Sequence, residues 1–369
     1  MRIGIVMNFL APWARTIVKT IKELDHSVHV IGFKPVKNPE SYLDAENPMQ
    51  VKDLKKFFDS VDSVNFLHER FKSNFDYLLN APKLKKIAKK ANLDVLLCLY
   101  GGGFSTMAYL SRFRPYAVYL VGSDILLASK TLRKLNKLSL ATAVVNFTNG
   151  KELAKQTLRQ VPKAHVENIL QGIDLKQFTP LSETKAGFNI ICNRGFLEVY
   201  NNQVILDALA DSPEILDKAS VQFLAGGPLL NKAKEYVRMN ISAKVQEKIS
   251  FLNGVPHSSM PEFLKQSDIF ISMSKSDGTA TSLLEALATG LFPIVSDIPA
   301  NQDWINNGEN GILVPIDDPS LLAKAIQEAL TNSQLRDKAS EKNRKLVEDR
   351  ASITKNMREL MRMLEDAIS

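Results

Sequence analysis

The chain has 369 residues, of which 45% are hydrophobic and 24% are charged, and its formal net charge is +7. This composition is typical of a globular protein with enough chain for two domains, and it excludes a disordered protein. No apolar run reaches the roughly 18 residues that span a bilayer, which excludes an integral membrane protein.

The first half of the chain alternates short apolar runs with amphipathic segments, a pattern typical of a parallel sheet with crossover helices. The predicted strands are 2–7, 28–33, 95–99, 117–121 and 143–148, and the predicted helices are 14–24, 82–91 and 151–160. Three glycines at 101–103 closely follow the third strand. The loops that face ligands in a parallel sheet lie at such strand ends.

The pattern pauses at 179–187, where turn formers replace apolar residues, and a second series of elements follows. Its predicted strands are 188–192, 221–225, 249–252, 269–273, 292–296 and 311–314, and its predicted helices are 203–209, 229–239, 260–266, 282–288 and a last helical region at 333–368. We therefore predict an α/β fold with two doubly wound, Rossmann-like domains, 1–178 and 179–345. A C-terminal helix, 346–369, would pack back on the first domain. The carboxyl ends of the two sheets would face each other across a ligand-binding cleft.

Charge and cysteines add expectations about partners and location. Residues 1–180 carry 27 basic and 15 acidic side chains, whereas 181–369 carry 20 and 25. A basic first half favours an anionic partner, although a lysine-rich solvated surface explains the same numbers. Cys98 and Cys192 lie in apolar runs, and the chain begins on a strand pattern and not on a signal peptide. Buried, reduced thiols predict a cytoplasmic protein.

Residues 274–297 carry the most informative pattern, which is a strand end, a polar loop, a helix and the next strand. Asp277 and Gly278 lie in the loop, and Glu285 lies one turn inside the helix. Because the first N–H groups of a helix have no partner within it, the loop and helix start form an anion site suited to a diphosphate. Carboxylates beside that site can hold hydroxyls of a sugar or a ribose.

This segment resembles the signature of glycosyltransferase family 4, in which an acid and a glutamate are separated by seven residues and the glutamate lies in a Leu-Glu-Ala-Leu-Ala-Thr-Gly helix. Three further segments resemble that family. They are the glycine-rich strand end at 226–229, the base-binding segment at 251–268 and the interdomain segment at 171–178. The resemblance covers most of the chain and implies the GT-B fold, with a nucleotide-sugar donor bound by the second domain.

The resemblance implies a role for each matching residue. Asp277, which stands where glutamate is commoner, would contact the transferred sugar, and Glu285 would bind the donor ribose. A turn-forming aspartate and a solvent-facing helix glutamate are the alternatives for these two residues. The positions assigned to donor binding are Gly195, Gly226, Gly254, Val255, Met260, Gly278, Thr279, Ala280, Thr281, Ser282 and Glu285.

Arg194 completes the predicted catalytic set with Asp277 and Glu285. It follows a strand and precedes Gly195, and its guanidinium can pair with diphosphate oxygens in a bidentate manner. A surface salt bridge is the alternative role. The lysine that the family usually has several residues later is missing near Tyr200, so another cation such as Lys275 would have to supply that charge.

The first half departs more from the family pattern. Val121-Gly122-Ser123-Asp124 resembles His-Gly-Ser-Asp, with a valine where the family often has a histidine near the donor sugar. Gly102, Ser123 and Asp124 are the positions that we assign to the acceptor and sugar side.

The resemblance implies a retaining transferase that moves a hexose-type sugar from a nucleotide-diphosphate donor, with UDP expected, without a metal or another cofactor. The acceptor would be a glycan or a lipid-linked molecule in cell-surface polysaccharide or glycoconjugate synthesis. Two alternatives remain open: a non-catalytic GT-B subunit that partners an active glycosyltransferase, and a nucleotide-sugar epimerase. The epimerase is disfavoured because such enzymes carry ionisable proton-transfer residues in the first domain.

Two lysine-rich segments, 83–90 and 130–137, could lie on an anionic membrane. The protein would then be peripheral on the inner face of the cell membrane. Two solvated helix faces are the alternative. Nucleic acid is the least favoured partner, because no aromatic-rich basic strand accompanies these lysines.

Overall fold

The computed structural model describes residues 1–34, 48–70, 75–126, 129–180 and 187–369. These residues form two compact units. Unit 1 contains the described residues up to 171 together with 353–369, and unit 2 contains the described residues of 172–352. Most of the turn-rich segment at 179–187 lies outside the described residues. Among those described, no helix is both long and apolar enough to cross a bilayer.

Unit 1 is built around a sheet of parallel strands in the order β3-β2-β1-β4-β5-β6-β7, which reverses direction between β1 and β4. Its elements before the crossing to unit 2 are β1 (Arg2–Val6), α1 (Pro12–Glu23), β2 (Ser27–Phe33), α2 (Pro48–Phe58), β3 (Ser63–Leu67), α3 (Phe75–Lys90), β4 (Val95–Leu99), α4 (Gly103–Ser111), β5 (Tyr116–Leu120), α5 (Ser123–Leu126), α6 (Lys130–Thr142), β6 (Asn146–Thr148), α7 (Lys151–Gln160) and β7 (Val166–Asn168). The central strands β1, β4 and β5 are almost wholly buried because helices cover both faces of such a sheet.

Unit 2 has a second parallel sheet in the order β10-β9-β8-β11-β12-β13. Its elements are β8 (Phe188–Cys192), a 3₁₀ turn (Glu198–Tyr200), α8 (Asn202–Asp211), α9 (Glu214–Lys218), β9 (Ala219–Phe223), α10 (Leu230–Asn240), α11 (Ala243–Gln246), β10 (Ile249–Phe251), a 3₁₀ turn (His257–Ser259), α12 (Met260–Lys265), β11 (Ile269–Ser272), α13 (Thr281–Ala288), β12 (Phe292–Ser296), α14 (Pro299–Gln302), β13 (Ile312–Val314), α15 (Pro319–Thr331) and α16 (Ser333–Arg350). Here the strand order reverses between β8 and β11, which are hydrogen-bonded neighbours.

The last helix, α17 (Ile353–Ile368), belongs to unit 1 and packs on α1. Its apolar residues recur at helical spacing, and those that enter the core of unit 1 are Ile353, Met357, Leu360, Met361 and Leu364. Ahead of α17, the N–H group of Ile173 donates a hydrogen bond of 2.8 Å to the carbonyl of Ala351. Ile173 and Ser352 also form an isolated parallel bridge. The two segments at which the chain passes between the units therefore lie side by side in unit 2.

Candidate functional site

The predicted site residues of unit 2 lie at the carboxyl edge of its sheet, where the strand order reverses. Arg194 follows β8, Asp277 lies in the loop after β11, and Ser282 lies in the first turn of α13. Because β8 and β11 are adjacent parallel strands, the loops after them leave the sheet at the same edge. The fold thus brings together residues that are more than 80 positions apart in sequence.

Arg194 is held by three contacts. Its Nη2 lies 2.5 Å from Oδ2 of Asp277, and its Nη1 donates to Oγ of Ser282 at 3.1 Å. The guanidinium also stacks on the ring of Tyr200, with Cζ 4.0 Å from the ring centroid. The backbone of the loop is fixed as well, because the Asn202 amide donates to the carbonyls of Arg194 and Gly195 at 3.2 and 3.1 Å. Arg194 is therefore oriented before a ligand arrives.

The carboxylate of Asp277 shares this environment. Burial raises the pKa of Asp277, while the charge of Arg194 and hydrogen bonds from the Gly278 N–H group and Arg194 oppose the rise. A partly buried ion pair of this kind keeps a positive guanidinium beside the start of α13. Asp277 is thus a partner of Arg194 and more than a turn former.

Glu285 is buried, with 3% of its surface exposed, so it is not a solvent-facing helix glutamate. Its Oε1 accepts a hydrogen bond of 2.7 Å from Nε2 of His257. The imidazole in turn lies against Phe178, with ring centroids 5.9 Å apart. This pairing fixes one carboxylate oxygen of Glu285, and the same side chain can use its other oxygen for a hydroxyl.

Glycines allow the loops at this edge of the sheet to pack closely against one another. Gly227 has φ of 143°, and a Cβ there would lie 2.7 Å from the carbonyl oxygen of Phe196 in the Arg194 loop. The N–H group of Phe196 also donates to the carbonyl of Gly226 at 2.9 Å. Gly254 has φ of 100°, and its N–H group donates to the carbonyl of Leu224. Only glycine adopts the backbone angles of Gly227 and Gly254 without strain.

The remaining predicted donor positions lie along the same loops. Gly278, Thr279 and Ala280 are buried and lead directly into α13 at Thr281. Val255 and Met260 flank the turn that carries His257, and Sδ of Met260 lies 3.6 Å from Nδ2 of Asn193. The side chain of Lys275 is exposed, while its backbone N–H group donates to the carbonyl of Val199.

In unit 1, the side chain of Asp124 is fully buried and accepts hydrogen bonds from the backbone. Its two carboxylate oxygens accept hydrogen bonds from the N–H groups of Gly101 at 2.8 Å and Gly122 at 2.9 Å. Burial raises the pKa of Asp124, and the hydrogen bonds from the backbone oppose that rise. Gly102 is fixed in the same way, since its N–H group donates to Oδ1 of Asn136. Asp124 therefore ties the loop after β4 to the loop after β5.

Ser123 is the exposed member of this group, and its Oγ lies 3.0 Å from the hydroxyl of Tyr100. Tyr100 has φ of 120°, an unfavourable backbone angle for a bulky residue, at the end of β4. Two hydroxyl groups thus meet at the carboxyl edge of the sheet of unit 1.

Three contributors to the site of unit 2 were missed in the sequence. His257 lies within the base-binding segment, between its parts 251–256 and 260–268, and this position was a usable signal. Tyr200 marks the place of the missing lysine, and its ring stacks on Arg194. Asn202 gave no sequence signal, because its contacts are to backbone carbonyls. Among the described residues, no three His, Cys, Asp or Glu side chains are grouped so that they could hold a metal ion.

Comparison with known proteins supports this organisation. Residues 179–346 match the family model described as glycosyl transferases group 1. The chain is 21% identical over 233 residues to the GDP-mannose:cellobiosyl-diphosphopolyprenol alpha-mannosyltransferase of Xanthomonas oryzae pv. oryzae, which covers 61% of this chain and 56% of the relative. The chain thus matches little more than half the length of that relative.

Solved structures share the fold of the whole chain. Sucrose-phosphate synthase from Thermosynechococcus elongatus superposes with a TM-score of 0.81 at 14% identity and covers 100% of both chains. Anabaena Alr3699/HepE, solved in complex with UDP and glucose, gives the same TM-score and identity over 99% of both chains. The GT-B fold predicted from the sequence is confirmed, and the segment 179–346 matches the family model of glycosyl transferases group 1, with which the resemblance to glycosyltransferase family 4 is consistent.

Proposed function

We propose that the protein is a retaining glycosyltransferase that moves a hexose-type sugar from a nucleotide-diphosphate donor, with UDP as the nucleotide, to a glycan or lipid-linked acceptor. The observation that carries the proposal is the joint placement of Arg194, Ser282 and Glu285 at the start of α13. A cation and the first turn of a helix suit a diphosphate, and a buried carboxylate one turn away suits ribose hydroxyls.

Each residue has a defined part in this proposal. Arg194 and the N–H groups at the start of α13 hold the diphosphate, and Glu285 accepts from ribose hydroxyls while His257 fixes its other oxygen. Asp277 accepts from a hydroxyl of the transferred sugar and orients Arg194 at the same time. Gly195, Gly226 and Gly254 allow the surrounding backbone to lie close to the donor. The proposal includes no metal and no other cofactor.

The reaction is a displacement at the anomeric carbon on the face from which the diphosphate leaves. The acceptor oxygen forms the new bond, the bond to the diphosphate oxygen breaks, and the acceptor proton passes to the departing diphosphate. The contribution of the protein is positioning and stabilisation of negative charge on the leaving group. Arg194 supplies that stabilisation through a guanidinium that is already oriented by Tyr200 and Asp277.

The names of related proteins support the donor and acceptor classes. HepE was solved with UDP and glucose, whereas the Xanthomonas relative is named for GDP-mannose and for a diphosphopolyprenol-linked acceptor. The choice of UDP and of a cell-surface polysaccharide or glycoconjugate product is therefore part of our proposal. A lipid-linked acceptor would place the protein in the cytoplasm, on the inner face of the cell membrane.

A non-catalytic GT-B subunit is the second candidate, motivated by Val121 at the position of a family histidine and by the lysine missing near Tyr200. The stacking of Tyr200 on Arg194 favours the active enzyme, because an aromatic ring orients the guanidinium without a second cation.

The test of the proposed function is a nucleotide panel measured by calorimetry, followed by transfer and hydrolysis assays with UDP- and GDP-sugars. We expect UDP to bind more tightly than GDP, ADP and CMP, and a UDP-hexose to be consumed faster when an acceptor is added. UDP binding without any turnover would support the non-catalytic subunit. No binding of any nucleotide would contradict both candidates.

A further inference from the structure

Three neighbouring helices cover one side of the sheet in unit 1. Helix α4 lies between α3 and α6 and packs against both. It is mostly buried, so the outer surface is formed by α3 and α6. We call the exposed residues of α3, α4 and α6 the three-helix face.

The charge of the three-helix face has one sign. Helices α3 and α6 carry nine basic side chains, and the single acidic residue in the three helices, Asp76, is buried. The basic residues are Lys83, Lys85, Lys86, Lys89, Lys90, Lys130, Arg133, Lys134 and Lys137. Helices α16 and α17 instead carry side chains of both signs: Arg344 pairs with Glu348, and Arg362 pairs with Glu359 and Asp366. An ordinary solvated helix surface mixes both signs in this way, so the three-helix face is unusual within its own chain.

Large apolar side chains are exposed on the same face. In the first turns of α3, Phe75, Leu78 and Leu79 are 66%, 39% and 55% exposed, and Leu138 of α6 is 56% exposed. The same side of α3 carries Lys86 and Lys89 further along. Scattered exposed leucines need no explanation, but a group of them beside lysines is typical of a helix that lies in a membrane interface.

The apolar end of this face adjoins the glycine loop after β4. A Cβ at Gly103 would lie 2.6 Å from the ring of Tyr77 in α3, and a Cβ at Gly102 would lie 2.8 Å from Leu132 of α6. The first turns of both helices therefore contact this loop. Phe75, Leu78 and Leu79 are neighbours of Tyr77, so they lie at the edge of the sheet that also carries Ser123.

We propose that the three-helix face binds an anionic lipid bilayer, with Phe75, Leu78 and Leu79 inserted among the headgroups and the lysines above them. The carboxyl edge of this sheet, with Gly102 and Ser123, then faces the membrane interface, where a lipid-linked acceptor presents its sugar. The identity of the acceptor rests on the proposed function, whereas binding to the bilayer does not depend on it.

Apolar insertion is what favours a bilayer over a nucleic acid. Single-stranded nucleic acids stack their bases on aromatic side chains, and duplexes are held through phosphate contacts from basic residues. Leu78, Leu79 and Leu138 can do neither, but they gain free energy when they enter the acyl boundary. Glu69, just ahead of α3, is an exposed carboxylate, and removing its charge should favour the bilayer slightly.

The experiment is co-sedimentation of the full chain with vesicles of phosphatidylcholine alone and with about one third phosphatidylglycerol. Two variants test the two components: Lys86, Lys89, Lys134 and Lys137 changed together to Ser, and Phe75, Leu78 and Leu79 changed together to Ser. Since each lysine near an anionic surface adds to the attraction, the first variant should bind at least tenfold more weakly. The second should bind at least fivefold more weakly at every salt concentration.

Matched controls remove the same charge or apolar surface elsewhere. The control for the charge variant changes four exposed lysines of unit 2 together to Ser: Lys232, Lys234, Lys244 and Lys248. The control for the apolar variant changes three exposed apolar residues together to Ser: Leu158, Met239 and Leu321. Both controls should bind like the wild type. All variants should keep the wild-type affinity for UDP, since none of the altered residues lies at the candidate donor site.

Binding that requires phosphatidylglycerol and weakens with added salt is the expected result. Equal sedimentation with both vesicle types, or no sedimentation with either type, would overturn the inference. Variants that bind like their controls would also overturn it, as would tighter binding to a DNA duplex than to vesicles. UDP binding without vesicle binding would leave the proposed function intact, and vesicle binding without nucleotide binding would remove the proposed function alone.

Discussion

The positive charge of Arg194 is already shared with the Asp277 carboxylate and the Ser282 hydroxyl. In the proposed complex, the donor diphosphate would therefore compete with Asp277 for the guanidinium in the ground state. As the bond to the sugar breaks in the proposed reaction, negative charge would grow on the diphosphate, and its attraction to Arg194 would increase. On this proposal, the ion pair favours an interaction that is stronger in the transition state than in the bound donor.

We predict that Arg194→Ala lowers kcat by about 10²- to 10³-fold, the usual effect of losing one such group, and raises the donor Kd by less than about tenfold. Arg194→Lys should recover only part of the activity, because an ammonium cannot bind Asp277 and Ser282 as a fork and stack on Tyr200. Steady-state kinetics and calorimetry with UDP measure both quantities. Arg238→Ala, at an exposed arginine of the same unit, is the control; normal turnover in Arg194→Ala would make this residue structural.

The hydrogen bond between His257 and Glu285 predicts coupled effects on the donor. Glu285→Ala should raise the Kd of UDP at least tenfold, which is about 1.4 kcal/mol. His257→Ala should raise it several-fold, because the carboxylate loses the group that orients it. His257→Gln, which keeps an N–H donor, should recover most of the affinity.

Calorimetry on the double variant separates positioning from direct contact. If His257 acts through Glu285, the loss in Glu285→Ala/His257→Ala should be close to that in Glu285→Ala alone. Additive losses would show that His257 contacts the nucleotide itself. His165→Ala, at an exposed histidine of unit 1, should leave the affinity unchanged.

At the scale of elements, the loop after β9 is built onto the loop after β8. Gly227 allows this contact, because its φ of 143° and the nearby carbonyl of Phe196 leave no room for a Cβ. The position of Phe196 in turn fixes the backbone next to Arg194. One glycine therefore controls how a neighbouring loop presents a site residue.

Gly227→Ala should lower the free energy of unfolding by more than about 2 kcal/mol, since strain in the backbone and the contact with Phe196 add up, and it should weaken UDP binding. Gly308→Ala is the matched control. Gly308 also has positive φ, at 76°, but nothing lies within 4 Å of its Cβ position. That variant should cost only about 1–2 kcal/mol of strain and leave UDP binding unchanged; chemical denaturation and calorimetry measure the two effects.

The elements that the sequence predicts best are buried parallel strands. β1, β4, β8, β11 and β12 are mostly apolar because helices cover both of their faces. β3 and β7, the outermost strands of their sheet, were not predicted, since partial burial leaves them a mixed composition. α15 was also missed, although Asp318 followed by Pro319 is a readable helix start, and the Asp318 side chain does accept from the Leu321 N–H group.

The last helical region illustrates what local sequence cannot supply. The pattern at 333–368 predicted one helical stretch, and the structure has two helices that separate at 351–352. Neither Gly nor Pro marks the break. Ala351 is fully buried and its carbonyl accepts from Ile173, so a partner about 180 positions away ends the helix. The same holds for the site, where the order of strands brings Arg194 to Asp277, but the pairing of His257 with Glu285 depends on tertiary packing.

At the scale of the whole molecule, unit 1 depends for part of its core on α17, which follows unit 2 in sequence. Leu360 of α17 is fully buried there. Leu360→Ala should lower the free energy of unfolding of unit 1 by about 2–5 kcal/mol, the usual cost of a buried leucine. Arg362→Ala, on the exposed side of the same helix, should change it by less than about 0.5 kcal/mol. Denaturation followed by hydrogen exchange resolves the two units, and unit 2 should remain unaffected by either variant.

The placement of α17 has a consequence for biosynthesis. Translation delivers the strands of unit 1 first and α17 only after every described residue of 172–352 has been made. Until then, the apolar side of α1 that α17 covers is exposed on the nascent chain. A ribosome that stalls before α17, or a protease that removes α17, would therefore leave unit 1 with an uncovered, aggregation-prone surface, whereas unit 2 would keep all of its described residues. The need for chaperones during synthesis should therefore depend on how late α17 is made relative to α1. A circular permutant that begins with Ile353 should need less help from chaperones to fold.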